Sequence, residues 1–362
     1  MSIFYLIYIE FMIRLNAPHW LIFTLWHLIL FILIAILLVI TVIILVLFER
    51  KYLAFYTRRK GPNRVGIYGC LQTVADAIKL LFKENIEPKN IDKMIYYTAP
   101  LLVFSPIMTV WFLIPFTSGL IPFDSSCSLL LFMAILSISI LATLFAGFSS
   151  GNKYSLIGGL RACAQAISSE IPIFLCLISI AILSGSLNLD IIVKTQKDSI
   201  FDWYIFPNIL GFIIFFISAL IVMNRTPFDL PEAESELTAG YHSEYSGMKF
   251  AMFFLGEYAL TFIICAFTAT LFLGGYNSPM GFYFSDLLNL PIIFQEFLKN
   301  IEQFIWLMIK TGFLILIIMW IRATYPRLTT ERTLNLSWYI LTPLAIFNIF
   351  IMSLYKLLRS IL

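Results

Sequence analysis

Long apolar runs alternate with short polar segments along the whole chain. Eight of the runs approach the roughly 20 residues that a helix needs to cross a bilayer core. They fall at about 20–48, 95–116, 127–148, 169–186, 205–224, 249–275, 301–322 and 336–358. The pattern predicts an all-α polytopic membrane protein, read as a single integral membrane domain over residues 1–362. The first run is long enough to tilt. In residues 1–19, Glu10 and Arg14 interrupt the apolar pattern and no positive segment precedes it. That speaks against a cleavable signal and for a short interfacial helix.

One polar segment, 49–94, has its own periodicity. Leu71, Val74, Ala75, Ile78 and Leu81 share one helical face, with Gln72, Asp76, Lys79 and Lys83 opposite. This predicts an amphipathic helix along the membrane interface, although packing against the chain's own spans would give the same pattern. Before it, Arg58, Arg59, Lys60 and Arg64 surround a Gly61-Pro62-Asn63 turn. Charge then orients the chain. Seventeen of the 24 Lys and Arg residues fall in 49–94, 149–168, 225–249 and 322–335, which predicts that these segments are inside and both termini outside.

The segment 225–249 and its flanks carry Asp229, Glu232, Glu234, Glu236, Glu244 and Glu257, out of 21 acidic residues in the chain. Carboxylates beside a bilayer are costly unless solvated, paired or protonated. A solvated loop between spans is the plain explanation. Asp229-Leu230-Pro231-Glu232 also fits a helix-capping box, which accounts for two of the acids. Glu257 lies eight residues past Lys249, about 12 Å into a helix, beyond the reach of capping. Glu170 stands at the start of the fourth run, just before Pro172, as an acid favoured by a helix N-terminus. Lys310 lies well inside the seventh run, where a lysine is expected to face a carboxylate or an aqueous cavity.

With 60% hydrophobic and 12% charged residues, the composition excludes a soluble domain. The five cysteines are scattered, with no CxxC, and the three histidines show no haem-ligating arrangement. Nor is there a GxGxxG or a phosphate-binding P-loop. Any redox cofactor is therefore expected on another polypeptide. A net charge of +3 identifies no partner, and no nucleic acid is expected to bind.

ERKYLAFYTRRKGPNRVG, RACAQAISSE, NRTPFDLPEAESELTAGYHSEYSG, FFLGEY and WIRATYPR, in order over about 45–345, carry a resemblance. They closely resemble the membrane subunits that include subunit 1 of mitochondrial NADH dehydrogenase and its equivalent in bacterial NADH-quinone oxidoreductase. The resemblance implies a core membrane subunit of respiratory complex I, a proton-translocating NADH:ubiquinone reductase. It implies a quinone-access chamber against the peripheral arm and a carboxylate path towards the proton-pumping subunits. Ubiquinone would be the substrate. Flavin mononucleotide and iron–sulfur clusters would lie on partner subunits, so this chain would contribute no catalytic residue. Other complex I subunits and membrane lipids would be its partners.

Residue by residue, the resemblance assigns Glu49, Arg50, Arg59, Asp76, Phe254, Arg322 and Arg327 to the chamber. It assigns Glu170, Asp229, Glu232, Glu234, Glu236, Glu244, Glu257 and Lys310 to the proton path. Two departures stand out: Val222 occupies the position of a path glutamate, and Thr329 that of an arginine, while Glu331 keeps the charge. A membrane anchor for a hydrogenase or formate hydrogenlyase is the alternative reading. A secondary transporter is a third, against which the lack of an internal repeat counts. The 35 phenylalanines and the missing transit peptide suit an AT-rich organellar genome and the mitochondrial inner membrane, with a bacterial plasma membrane as the alternative.

Overall fold

The computed structural model describes residues 18–197, 199–231, 240–287 and 291–361. Among them there is no β-strand. The α-helices are α1 (His19–Tyr56), α2 (Gln72–Phe82), α3 (Lys93–Trp111), α4 (Ser128–Ser149), α5 (Lys153–Ser184) and α6 (Leu189–Lys194). They continue as α7 (Ile209–Val222), α8 (Gly247–Phe272), α9 (Phe284–Leu287), α10 (Ile292–Thr324), α11 (Thr330–Asn335) and α12 (Thr342–Ile361). A π-helical turn, Leu336–Leu341, joins α11 to α12. Among the described residues, seven segments are long and apolar enough to cross a membrane. The fifth expected span is the exception. Its helix, α7, has 14 residues, about 21 Å, which is shorter than a hydrocarbon core. The expected interfacial helix in 1–19 falls almost wholly outside the described residues.

α8 is the centre of the bundle. It packs against α1, α2, α3, α6, α7 and α10. Its buried residues face all directions, so it is apolar all round rather than amphipathic. Trp111 of α3 stacks on Phe262, with ring centroids 5.1 Å apart. The outward faces of α1 and α12 are rich in exposed Leu, Ile and Phe, as a lipid-facing surface requires.

The fourth span differs from expectation. α5 begins at Lys153, so Glu170 and Pro172 are mid-helix and no N-terminal dipole explains the acid. The small polar lead-in is helical, and its buried hydroxyls are satisfied within the helix. Ser168 and Ser169 donate to the Gln165 carbonyl at 2.8 and 3.1 Å. The same stretch holds both ends of the acidic segment. Gln165 donates to the Phe228 carbonyl at 2.8 Å, and Ser155 to the Tyr241 carbonyl at 3.0 Å. Gly158 lets the backbones meet, since a Cβ there would come within 2.8 Å of Gly240 Cα.

α2 forms as the periodicity predicts, but its orientation is informative. Thr73 is buried and Asp76 half-buried, whereas Leu71, Val74, Ile78 and Leu81 are exposed. Gln72, Thr73 and Asp76 turn towards the protein while Lys79 and Lys83 stay exposed, and most of the apolar face does not pack on the chain's own spans.

Candidate functional site

α1 continues past the expected end of its apolar run, and Glu49 near its C-terminal end is buried in the bundle. Glu49 is 5% exposed and lies between two guanidinium groups. Arg322, in the last turn of α10, donates directly to it. Arg225 Nη1 lies 3.7 Å from its other oxygen. Arg225 leaves the end of α7 through Asn224, which takes a left-handed turn (φ 49°). Its guanidinium then lies 4.2 Å from the Tyr258 ring centroid, and Nε donates to Thr261 at 3.3 Å. Leu45, Ile315, Ile318 and Met319 complete the wall of a small cavity, of about 10 Å³, lined by these groups. Two cations and one carboxylate leave the wall with a net positive charge. Breaking a buried ion pair by removing one partner typically costs about 3–5 kcal/mol.

The remaining expected chamber residues lie on several elements. Arg50 pairs with Asp76 of α2 at 2.6 Å, joining the end of α1 to the amphipathic helix. Burial of Asp76 opposes its charge, but the hydrogen bonds from Arg50 and Gln72 outweigh it and hold the carboxyl below its usual range. Both partners of the Arg50 pair are substantially exposed, so it contributes about 0–1 kcal/mol. Arg59 is exposed just beyond α1. Phe254 is half-buried on α8, 4.7 Å from the Tyr258 ring, and so reaches the cavity wall through that tyrosine. Arg327 lies outside the cavity and pairs with Asp229 at 3.2 Å. Burial pushes the Asp229 carboxyl up, against the opposing charges of Arg327 and Arg322. Asp229 is not in a described helix. The expected capping partner Glu232, with Glu234 and Glu236, lies outside the described residues.

The other expected path residues are dispersed. Glu257 accepts from the Tyr241 hydroxyl at 3.1 Å, next to Tyr258 of the cavity. Glu244 accepts from Asn152 at 2.7 Å, at the N-terminus of α5. Glu170 accepts from Ser137 of α4 at 2.8 Å and lines a second, mainly apolar cavity of about 10 Å³. Val222 lines the same cavity, with Leu136, Ile173, Phe215 and Ile264 among the other residues. Sequence reading has no means of seeing that these two positions share one space. Lys310 is 6% exposed and departs from expectation. Its ammonium donates to the backbone carbonyls of Gly275 and Asn277 at 2.9 and 2.6 Å, beneath the Trp203 ring. Those carbonyls follow the C-terminus of α8, where a helix dipole favours a cation, so no carboxylate partner is needed.

Arg225 is the residue that sequence reasoning missed. In the sequence it counts only as a flanking charge, although an arginine immediately after an apolar run is the available signal. Among the described residues, no group of three His, Cys, Asp or Glu side chains could hold a metal ion.

The sequence profile of the NADH dehydrogenase family matches residues 28–353. The H subunit of the NADH-quinone oxidoreductase of Brevibacillus brevis is 42% identical over 334 residues, covering 92% of this chain and 94% of the relative. The proteins of the same name from Bacillus cytotoxicus and a Geobacillus species are 44% and 42% identical, each over 86% of this chain and 88% of the relative. The family match reaches from α1 into α12 and includes every element that builds the Glu49 cavity, so the chain belongs to the NADH dehydrogenase family of membrane proteins.

Proposed function

We propose that the chain is a core membrane subunit of a proton-translocating NADH–quinone oxidoreductase, where it shapes the quinone-access chamber. The observation that carries this reading is the buried charge cluster of Glu49, Arg225 and Arg322. Its cationic donors, with Tyr258 and apolar side chains beside them, are the kinds of group that recognise acceptor oxygens on an apolar body, while the space between them holds about one water. On this reading ubiquinone is the substrate. Flavin and iron–sulfur clusters belong to partner subunits of the peripheral arm, which dock on the inside face. Small membrane subunits and lipids surround the spans. Both termini lie on the outer side, by the positive-inside distribution of charge.

Glu170, Asp229, Glu232, Glu234, Glu236, Glu244, Glu257 and Lys310 form the proposed coupling set. Carboxyl groups in a partly dry environment share protons and titrate together. A charge change in the chamber biases their occupancy only if the two sets interact, and the charge of Glu257 is close enough to act on Arg225. The phenylalanine-rich composition supports the mitochondrial inner membrane. The bacterial plasma membrane is the second reading, favoured by the bacterial origin of the relatives. The family match does not favour the hydrogenase-anchor alternative.

Arg50→Ala tests the chamber. It is expected to lower electron transfer from NADH to quinone several-fold in an assembled complex. Transfer to an artificial acceptor that takes electrons upstream should be unchanged. Equal loss of both activities would refute the assignment.

A further inference from the structure

An open cleft of about 400 Å³ lies among residues that neither cavity uses. Three segments line it, and all three fall in stretches that the charge distribution places inside. Lys89 and Asn90 come from the connection between α2 and α3. Asn152, Lys153 and Tyr154 come from the cap and first turn of α5, and Glu244 from the segment 225–249. These walls are fastened to one another. The Asp92 N–H donates to the Ser149 carbonyl at 3.2 Å. Gly151 takes a left-handed turn (φ 65°) so close to the Asn90 carbonyl that a Cβ has no room there. Asn152 donates to one Glu244 oxygen at 2.7 Å, and the Glu244 carbonyl accepts from the Tyr96 hydroxyl at 2.9 Å. The cleft is thus formed before anything enters it, which lowers the cost of binding.

Its lining carries both signs. Lys89 and Lys153 are exposed, and neither has an ion-pair partner among the described residues. The second oxygen of the half-buried Glu244 accepts no hydrogen bond among the described residues. Tyr154 stands on the rim, 58% exposed. Lysines on a water-facing turn need no explanation by themselves. Here two cations, a free acceptor and an aromatic ring converge on one preformed space. An anionic phosphate would satisfy the lysines but meet the charge of Glu244. A peptide offers both kinds of group, side-chain carboxylates for the lysines and backbone N–H donors for Glu244. We infer that the cleft docks a polypeptide segment of a partner subunit at the inside face, through an Asp or Glu side chain paired with Lys89 and Lys153 and a backbone donor on Glu244. The inference rests on the reading of the chain as one subunit of a larger complex. It gives Glu244 a second task, because the docked segment touches a member of the proposed coupling set.

The test uses the intact complex and a zero-length carbodiimide cross-linker, which joins a lysine amine to a carboxyl it touches with loss of water. Mass spectrometry of the digested product is expected to show Lys89 or Lys153 joined to an Asp or Glu of another subunit. Lys89→Arg/Lys153→Arg keeps both charges but cannot form the amide, so the subunit should stay bound while the cross-link is lost. Lys89→Glu/Lys153→Glu is expected to release the cross-linked subunit on native gels at about half the salt that the unmodified complex withstands. Glutamate suits the first turn of α5, so this variant keeps the local fold. Replacing the identified acid by lysine in the same background should restore the seating, which a misfolded variant would not show.

A complete complex in which neither lysine cross-links to another subunit would overturn the inference alone. So would p-benzoylphenylalanine introduced at Tyr154 that captures phospholipid and no polypeptide on illumination, since the cleft would then face lipid. If Lys89→Glu/Lys153→Glu does not assemble, Lys89→Gln/Lys153→Gln carries the same comparison with a smaller shift in salt. Recovery of the chain without any other subunit after mild solubilisation would refute the reading as a complex subunit, and this inference with it.

Discussion

Asp229 shows how one side chain balances opposing forces. Its burial disfavours charge, while Arg327 and Arg322 favour it, and burial wins, so its carboxyl titrates above its ordinary range. A raised value means that Asp229 binds its proton more tightly in the folded protein. The resulting stabilisation is present in acid and is lost as pH rises through the folded value. Asp229→Asn removes this dependence while keeping the shape. The melting temperature of the Asp229→Asn complex relative to the unmodified one should therefore increase as pH rises from mildly acidic towards neutral. A difference that shrinks over that range would mean that the Arg327 pair outweighs burial. Lys310 is the complementary case: two backbone carbonyls at the end of a helix take the place of the expected counter-ion.

At the scale of elements, α5 and α7 meet around the cavity shared by Glu170 and Val222. Valine and glutamate are close in volume, so Val222→Glu changes polarity more than packing. The new carboxyl would enter an apolar space where Ser137 already donates to Glu170. Two carboxyls in such a space cannot both ionise, and one retains a proton that the other can accept. Val222→Glu is therefore expected to assemble to the same level as Val222→Gln, with an unsatisfied-polar cost of about 1–3 kcal/mol for either. Loss of Val222→Glu alone on native gels would show that the second carboxyl stays ionised.

The same elements show what the sequence makes legible. Seven of the eight expected spans are long apolar helices, because hydropathy records the solvent that a helix faces. Low hydropathy places the lead-in to Glu170 outside the span. Its serines are nevertheless accommodated in the buried helix, because their hydroxyls bond carbonyls three and four residues back. The amphipathic period of α2 is legible, but the direction of its apolar face is not. On the other side of the helix Asp76 meets Arg50, 26 residues away in sequence. The Glu49 cavity is less local still. Arg322 lies 273 positions from Glu49, and no periodicity encodes that meeting.

At the scale of the molecule, the central helix α8 carries both proposed functions on adjacent residues. Tyr258 faces the Glu49 cavity, and Glu257 bonds the hydroxyl of Tyr241, which stands just after the acidic segment. A charge change in the chamber thus has a short route to a titratable group on a helix that contacts much of the bundle. Glu257→Gln isolates the protonic part of that route. The amide keeps the shape and can still accept from Tyr241, so abundance on native gels should be close to normal. It cannot exchange a proton, so proton pumping in reconstituted vesicles should fall at least tenfold if Glu257 carries protons between the chamber and the membrane arm. Quinone reduction should fall with it, because a coupled enzyme cannot complete one without the other. A Glu257→Gln complex that assembles and pumps at the normal rate would refute the proton-carrying role. Glu257 would then serve only as an acceptor that fixes Tyr241 against α8.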